Sequence, residues 1–322
     1  MARIVLGLAT SHSPHVSTVP ELWHLHAERD RTNPNLDFPE LVKNAPAGIE
    51  AELTAEIYQR KHEACQRAIA ALGNALNETE IDAVIVIGDD QHELFREECI
   101  PAFAIFTGAD LLDIPPPIET AHPSHLPALW SRHNSFVERY PAAPDLAKHL
   151  TASIVQQGFD VATAAKQYEG RSLGHAYTFV RLRLMGDRVI PIIPVFINCY
   201  FPPNQPSPDR CFQFGKALRR AIDDWPHDLR IAVIASGGLT HFVIDEAIDR
   251  QVLRGIRDKH SELLRSLPAE KLNSGSSEIR NWIAAAGALE DFTATILDYV
   301  PAYRSEAGTG CGMAFARWDR PG

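Results

Sequence analysis

Three short apolar runs, each followed directly by a loop that carries a histidine, constrain the fold of this chain more than any other feature. Each run has the length and the Val, Ile, Leu and Ala content of a strand that is buried on both faces. The runs are residues 3–9, 83–87 and 231–235, and the histidines that follow them are His12, His92 and His241. In open α/β sheets ligands bind beyond the carboxyl ends of the strands, so we expect the active site at these three loops.

The rest of the chain extends this pattern. Segments between the runs have helical periodicity, and strands that alternate with helices predict an α/β fold, with a mixed central sheet flanked by helices. Helices are predicted at 49–76, 145–157, 209–224, 246–267 and 277–286, and further strands at 189–198 and 307–318. We interpret residues 1–322 as a single large domain.

Proline marks the irregular parts of the chain. Residues 15–45 are predicted as a long loop that could hold one short helix, and residues 100–130 as an irregular surface segment. Both are candidates for a lid that excludes water from a site. Pro191 and Pro194 indicate that the run at 189–198 is not a central antiparallel strand, or that it contains bulges.

Composition excludes several classes of function. The formal net charge is −10 and no run of Lys or Arg exceeds two residues, which argues against nucleic-acid binding. No apolar run approaches the roughly 18 residues of a membrane span, and the N-terminal run is too short for a signal peptide. The five cysteines are odd in number, widely spaced and without a CxxC pair, so we predict reduced thiols in a cytoplasmic protein.

Two histidines and one carboxylate give the strongest chemical signal. His12, His92 and Glu246 together match the ligand types of a non-haem Fe(II) facial triad, which leaves coordination positions open for substrate and oxygen. Taken singly, each has an ordinary interpretation; Glu246, for example, would complement a helix dipole. Phosphate-binding glycine motifs and the hydrolase GxSxG motif are missing from the sequence.

Two further segments could take part in chemistry. His175 lies between a polar segment and an apolar helix, and it is either a helix-start residue or a general acid/base, since histidine titrates nearest neutrality. The loop 237–241 is rich in glycine, and it either lets the backbone approach a ligand or forms a tight turn.

An ordered set of segments along most of the chain resembles the class III extradiol ring-cleavage dioxygenases, of the protocatechuate 4,5-dioxygenase catalytic-subunit type. The segments are 10–14 (TSHSP), 102–105 (AFAI), 144–147 (PDLA), 174–175 (GH), 210–212 (RCF), 236–241 (SGGLTH), 287–289 (GAL) and 312–314 (GMA). Residues 30–34 (DRTNP) and 88–91 (GDDQ) are closer to the 3-O-methylgallate dioxygenase branch.

The resemblance implies Fe(II) held by two histidines and one glutamate, with His12 as the first ligand and His175 as the acid/base beside the substrate. At the second ligand the family has Asn-Asp-His, and an ungapped match places Gln91 there, with His92 one residue later. We expect His92 to bind the metal, with Gln91 as the alternative. The family's glutamate position falls on Ala247, so Glu246 would serve through a small offset along the helix.

The implied reaction is extradiol cleavage of a catechol-type aromatic acid, such as 3-O-methylgallate, gallate or protocatechuate, by both atoms of O2. We expect Gln91, Thr240 and His241 to contact the substrate, and His175 to accept and return its proton. Two alternatives remain: a related metalloenzyme that uses Zn(II) or another substrate, and a non-catalytic subunit that binds aromatic ligands. The expected assembly is a homodimer, or a complex with a separate small subunit, without a nucleic-acid or membrane partner.

Overall fold

A mixed sheet of eight strands forms the centre of the protein, described here from a computed structural model that covers residues 1–321, without the side chain of residue 120. The strands are β1 (Arg3–Thr10), β2 (Ala83–Gly88), β3 (Phe103–Phe106), β4 (Asp110–Asp113), β5 (Glu138–Pro141), β6 (Ala162–Ala164), β7 (Ile192–Ile197), β8 (Arg230–Ser236), β9 (Thr293–Tyr303) and β10 (Gly310–Asp319). The order across the sheet is β6-β3-β7-β2-β8-β1-β10-β9, and β4 pairs with β5 in a separate small sheet.

Helices cover both faces of the large sheet. The α-helices are α1 (Pro14–Ser17), α2 (His24–Arg31), α3 (Phe38–Lys43), α4 (Ala55–Glu78), α5 (Pro144–Gln156), α6 (His175–Arg183), α7 (Pro208–Asp223), α8 (Glu246–Arg257), α9 (Ser261–Arg265) and α10 (Ile279–Ala288). Short 3-10 helices lie at Pro20–Leu22, Ile49–Glu52, Ile118–Thr120, Leu126–Ser131, Ala269–Lys271 and Ser274–Glu278. Within residues 1–321, every helix is too short or too polar to cross a lipid bilayer.

Strand direction fixes where the loops meet. β8 is parallel to both of its neighbours, β1 and β2, and β2 is also parallel to β7. β10 is antiparallel to β1 and β9, and β3 is antiparallel to β7. Because β1, β2 and β8 run side by side in one direction, the loops that follow them open at the same edge of the sheet.

The alternation of side chains along the central strands divides the core into two layers. All six residues of β2 are buried. Ile85 and Ile87 belong to the layer that includes α5, α7, α8 and α10, whereas Val84 and Val86 belong to the layer with α4 and α6. Burial of each such side chain contributes about 1.5–3 kcal/mol, so the sheet is anchored from both sides and its edge is a rigid base for the loops.

The predicted α/β fold with a mixed central sheet is confirmed, and the three defining runs form β1, β2 and β8. Some local predictions are wrong. Residues 15–45 contain α1, α2 and α3 instead of a long loop, and residues 100–130 contain β3 and β4. The helix predicted at 246–267 is two helices, which separate where Lys259 has a positive φ of 54°.

The proline-rich run at 189–198 also differs from its prediction. It forms β7, which lies inside the sheet between β2 and β3. Pro194 pairs in register with Val86 of β2, and the antiparallel ladder with β3 involves only residues 195–197 of β7. The antiparallel ladder therefore stops before the residue that has no N–H to donate.

Candidate metal centre and active site

Three buried side chains converge at the edge where β1, β2 and β8 end. His12 follows β1, Asp89 directly follows β2, and Glu278 ends the 3-10 helix that precedes α10. Their nearest ligand atoms all lie within 4.8 Å of one another. One imidazole and two carboxylates at this spacing could hold a divalent metal ion.

His12 presents one free ring nitrogen to this cluster. Its Nδ1 lies 2.9 Å from the Ser236 hydroxyl, at the end of β8. Its Nε2 is buried, has no hydrogen-bond partner in the described structure, and lies 3.5 Å from Glu278 Oε2. A buried imidazole with one nitrogen held by an outer partner and the other left free has the arrangement of a metal ligand.

Glu278 is held in place by several donors. Its Oε2 accepts a 2.6 Å hydrogen bond from the Gly238 N–H, and its Oε1 accepts one from the Tyr200 hydroxyl at 2.5 Å. His241 Nε2 lies 3.5 Å from Oε1. Although burial acts in the opposite direction, His241 and His12 hold the pKa of this carboxyl well below its usual range, so Glu278 is ionised.

Asp89 supplies a second carboxylate that is fully buried. Asn281 donates to its Oδ1 at 3.1 Å, and Gln91 donates to its Oδ2 at 3.2 Å. Burial and the nearby Glu278 raise the pKa of Asp89 to about 7. Because Asp89 and Glu278 lie close together, ionisation of one opposes ionisation of the other. A bound cation would balance the two negative charges, so the donor set fits a divalent metal.

His241 faces Glu278 from the glycine-rich loop after β8. Its Nδ1 donates to the Leu239 carbonyl at 2.8 Å, which leaves Nε2 for the site. Gly275 packs on the ring so closely that a Cβ there would lie 2.0 Å from His241 Cδ2. Gly238 is similar, since a Cβ added at this position would lie 2.9 Å from His241 Cε1. The glycines of both segments therefore make room for this imidazole.

His175 reaches the site from the first residue of α6. Its Nδ1 donates to Glu93 Oε1 at 2.6 Å, and its backbone N–H donates to the same oxygen at 3.0 Å. Its ring lies edge-to-face against that of His12, with centroids 4.7 Å apart. Burial and the positive charge of Arg132 lower the pKa of His175 to about 4, so the imidazole is neutral near pH 7.

A cavity opens beside the cluster. Its described wall is rich in histidine and arginine. The polar residues include His12, His26, His125, His175, His241, Arg29, Arg132, Arg304, Gln91, Tyr200 and Glu278. Three arginines, Arg29, Arg132 and Arg304, lie in this wall against one carboxylate, Glu278, which favours an anionic ligand.

Most of the predicted site residues meet here. His12, His175, His241 and Gln91 line the cavity, and Gln91 Nε2 also lies 3.4 Å from Glu278 Oε1. Thr240 does not line this cavity; its hydroxyl donates to Asp249 at 2.9 Å. Its backbone N–H also donates to Asp249, so Thr240 fixes the loop that carries His241.

Two predicted ligands have a different placement. The backbone turns after β2 so that His92 has a positive φ of 64° and its ring stacks on Phe201, with centroids 4.0 Å apart. Glu246, at the start of α8, accepts hydrogen bonds from Tyr303 at 3.0 Å and Arg250 at 2.7 Å. Neither belongs to the ligand cluster, and neither lines the cavity beside it.

The sequence argument did not single out Glu278, and it noted Asp89 only as one of several polar residues after β2. A signal was present for Glu278, since it is an acid that precedes a helix whose residues are almost all buried. For Asp89 the signal was its position as the first residue beyond a buried strand.

Comparison with known proteins places most of the chain in one family. The family described as the catalytic LigB subunit of aromatic ring-opening dioxygenase matches residues 53–310, which is most of the chain and includes Asp89, His175, His241 and Glu278. The chain belongs to this family.

Individual relatives are more distant. The chain is 27% identical over 180 residues to the 2,3-dihydroxyphenylpropionate/2,3-dihydroxicinnamic acid 1,2-dioxygenase of Comamonas testosteroni, over 55% of this chain and 49% of the relative. It is 28% identical over 157 residues to the gallate dioxygenase of Pseudomonas putida, over 45% of each. The chain thus spans about half the length of the curated relatives it matches.

Proposed function

We propose that this protein is a non-haem Fe(II)-dependent extradiol dioxygenase that cleaves the ring of a catechol-type aromatic acid with O2. The observation that carries the proposal is the cluster of His12, Asp89 and Glu278 at the strand ends, beside a cavity lined by histidine and arginine. Family membership supports ring opening as the reaction. The names of both relatives refer to aromatic carboxylic acids, which agrees with the basic cavity wall.

The ligands we propose are His12 Nε2 and the carboxylates of Asp89 and Glu278. This set has one histidine fewer than the two-histidine, one-carboxylate triad that the sequence led us to expect. Imidazole and carboxylate ligands both suit Fe(II), and His12 and Glu278 line the cavity through which a substrate would reach it. When bound, Fe(II) supplies the redox chemistry through which a catecholate and O2 react.

The protein residues around the metal would manage the substrate's protons. We propose that His175 Nε2 accepts a hydroxyl proton from the catechol and later returns it, while Glu93 fixes the opposite nitrogen. The 2.6 Å contact to Glu93 would stabilise the imidazolium that forms. His241 Nε2 and Gln91 are placed to contact the substrate oxygens, and Thr240 supports them through its loop.

The direct test is reconstitution of the purified chain with Fe(II) in the absence of oxygen. Oxygen is then admitted with a panel of catechols, and O2 uptake and ring-cleaved products are measured. We expect about one iron per chain and cleavage of at least one aromatic acid. Iron binding without cleavage of any catechol would refute the proposal, and activity with stoichiometric zinc would support the Zn(II) alternative instead.

We also propose a cytoplasmic homodimer or a complex with a separate small subunit. All five cysteines are free in the structure, which agrees with a reducing compartment. Light scattering of the purified chain tests the oligomeric state.

A further inference from the structure

Arg132 lies at the junction of two cavities. It follows the 3-10 helix Leu126–Ser131, and its side chain lines the cavity beside the metal ligands. It also lines a larger neighbouring cavity, whose wall includes residues 114–117 and Arg96. A molecule that passes from the larger space to the metal site therefore meets this guanidinium.

The positive charge of Arg132 has no carboxylate partner among the described residues. Its Nε is buried and has no hydrogen-bond partner. Arg304, in the same cavity wall, is different, because it forms two hydrogen bonds to Asp30 at 2.7 and 2.9 Å. A half-buried guanidinium that forms no direct ion pair is costly, so its place in the cavity wall favours an anion that binds from outside the chain.

The carboxylates near Arg132, those of Glu93 and Glu278, each accept hydrogen bonds from other groups. Glu93, which has the largest favourable electrostatic effect on Arg132, directs Oε1 at His175. Glu278 accepts hydrogen bonds from Gly238 and Tyr200. Glu93 Oε2 is buried and has no hydrogen-bond partner within residues 1–321, yet Arg132 is attracted by both carboxylates without forming a direct ion pair to either.

Arg29 is a second positive charge in the wall of the cavity beside the proposed metal ligands. Arg29 lines the same cavity and donates to His125 Nε2 at 2.5 Å, so it is bonded to a neutral group instead of a carboxylate. Burial, together with Arg132 and Arg29, lowers the pKa of His125 to about 2. The histidine therefore adds no charge of its own, and two guanidiniums remain for an incoming anion.

We propose that Arg132, supported by Arg29, binds the carboxylate of the aromatic substrate and selects catechols with an acidic substituent over neutral ones. This inference rests on the proposed function, since it names the substrate group that the dioxygenase site recognises. A guanidinium suits the role because its planar donors pair with both oxygens of a carboxylate. The catechol oxygens face the metal at the other end of the ring.

The test compares matched pairs of substrates that differ only in the carboxylate: 3,4-dihydroxybenzoate with catechol, and gallate with pyrogallol. With Arg132→Met we expect kcat/KM for each acid, divided by kcat/KM for its neutral partner, to fall roughly 10–100-fold, the scale of a lost charge-assisted hydrogen bond. The ratio cancels the effect on both substrates of losing the charge that lowers the pKa of His175. Arg132→Lys should restore part of the preference. Arg96→Met is the matched control, because it removes a cation from the larger cavity alone.

Equal losses for acids and neutral catechols would overturn the inference, as would no change for either. Anaerobic calorimetry of the Fe(II)-loaded protein with the same pairs reads the preference without turnover. If no catechol is cleaved, the function proposal fails. The inference is still decided by whether the wild type binds the acids more tightly than their neutral partners and Arg132→Met does not. If Arg132→Met does not fold, Arg132→Lys supplies the comparison.

Discussion

His12 Nε2 lies 3.5 Å from Glu278 Oε2, although the two residues come from opposite ends of the chain and both are buried. Within the described structure this nitrogen has no hydrogen-bond partner. A free imidazole nitrogen beside an ionised carboxylate is the main support for the proposed metal centre, and it leads directly to the first prediction.

Replacement of Glu278 by Gln should weaken Fe(II) binding by more than about 100-fold, because loss of an outer partner of a ligand alone costs roughly 10–100-fold. The matched control is Glu246→Gln, which alters only contacts with Tyr303 and Arg250. Calorimetric titration and metal analysis measure both. The opposite result, with metal lost from Glu246→Gln and kept by Glu278→Gln, would return the ligand role to the residue that the sequence favoured.

Asp89 should make metal binding depend on pH. Its pKa is raised from 3.8 to about 7, so a bound cation must displace its proton at lower pH. We expect the affinity for Fe(II) to fall as the pH drops below about 7, and Asp89→Asn to weaken binding and flatten this dependence. Titrations at a series of pH values test this, and an unchanged pH profile in the variant would exclude Asp89 as the source.

The same group should have the opposite effect on the metal-free protein. The folded-state pKa of Asp89 lies above its unfolded value, so its contribution to stability is present below about pH 4 and is lost as the pH rises through about 7. Thermal unfolding of metal-free wild type and Asp89→Asn across this range should show curves that diverge toward higher pH, with the variant the more stable. Parallel curves would contradict the prediction.

His175→Gln should leave iron binding intact and lower turnover by roughly a hundredfold or more, which is the usual scale for an acid/base. His92→Gln serves as its control, since His92 stacks on Phe201 outside the ligand cluster. Single-turnover rates together with iron content separate catalysis from metal binding. Unchanged turnover in His175→Gln would remove it from the mechanism.

Gly275→Ala should destabilise the fold, because the new Cβ would lie 2.0 Å from the His241 ring. Gly73→Ala, inside α4, is the matched control, since its Cβ meets Leu184 O at an ordinary 3.5 Å. We expect the control to be stabilising by about 0.5–1 kcal/mol, as alanine is the better helix former. Differential scanning calorimetry of both variants measures the contrast, and equal unfolding temperatures would contradict it.

The sequence was sufficient to predict the α/β fold and the edge at which the site lies, because buried strands and their terminal histidines are local features. It was not sufficient to decide which side chains after β2 face inward. That depends on a turn in which His92 takes a positive φ, and nothing in the residue pattern specifies such a turn. As a result the inward position falls on Asp89.

The sequence signal for Glu278 was weak for a different reason. It ends a 3-10 helix of five residues, Ser274–Glu278, which has no amphipathic period to mark an inward face. Its partners, Gly238 and Tyr200, are distant in sequence. Glu246 looked suitable because it begins a regular helix, and its use there is structural: it accepts a hydrogen bond from Tyr303 of β9.

The strand order means that the proposed metal ligands come from parts of the chain that are far apart in sequence. His12 follows β1, which is held between β8 and β10, while Glu278 enters just before α10 and the hairpin of β9 and β10. These parts of the chain meet only when the sheet is complete. A bound ion would therefore stabilise the folded state by mass action, by about 2.7 kcal/mol at a hundredfold excess over Kd. Iron would join the first strand to the last fifth of the chain. A chelator would therefore lower the stability of the whole fold as well as abolish activity.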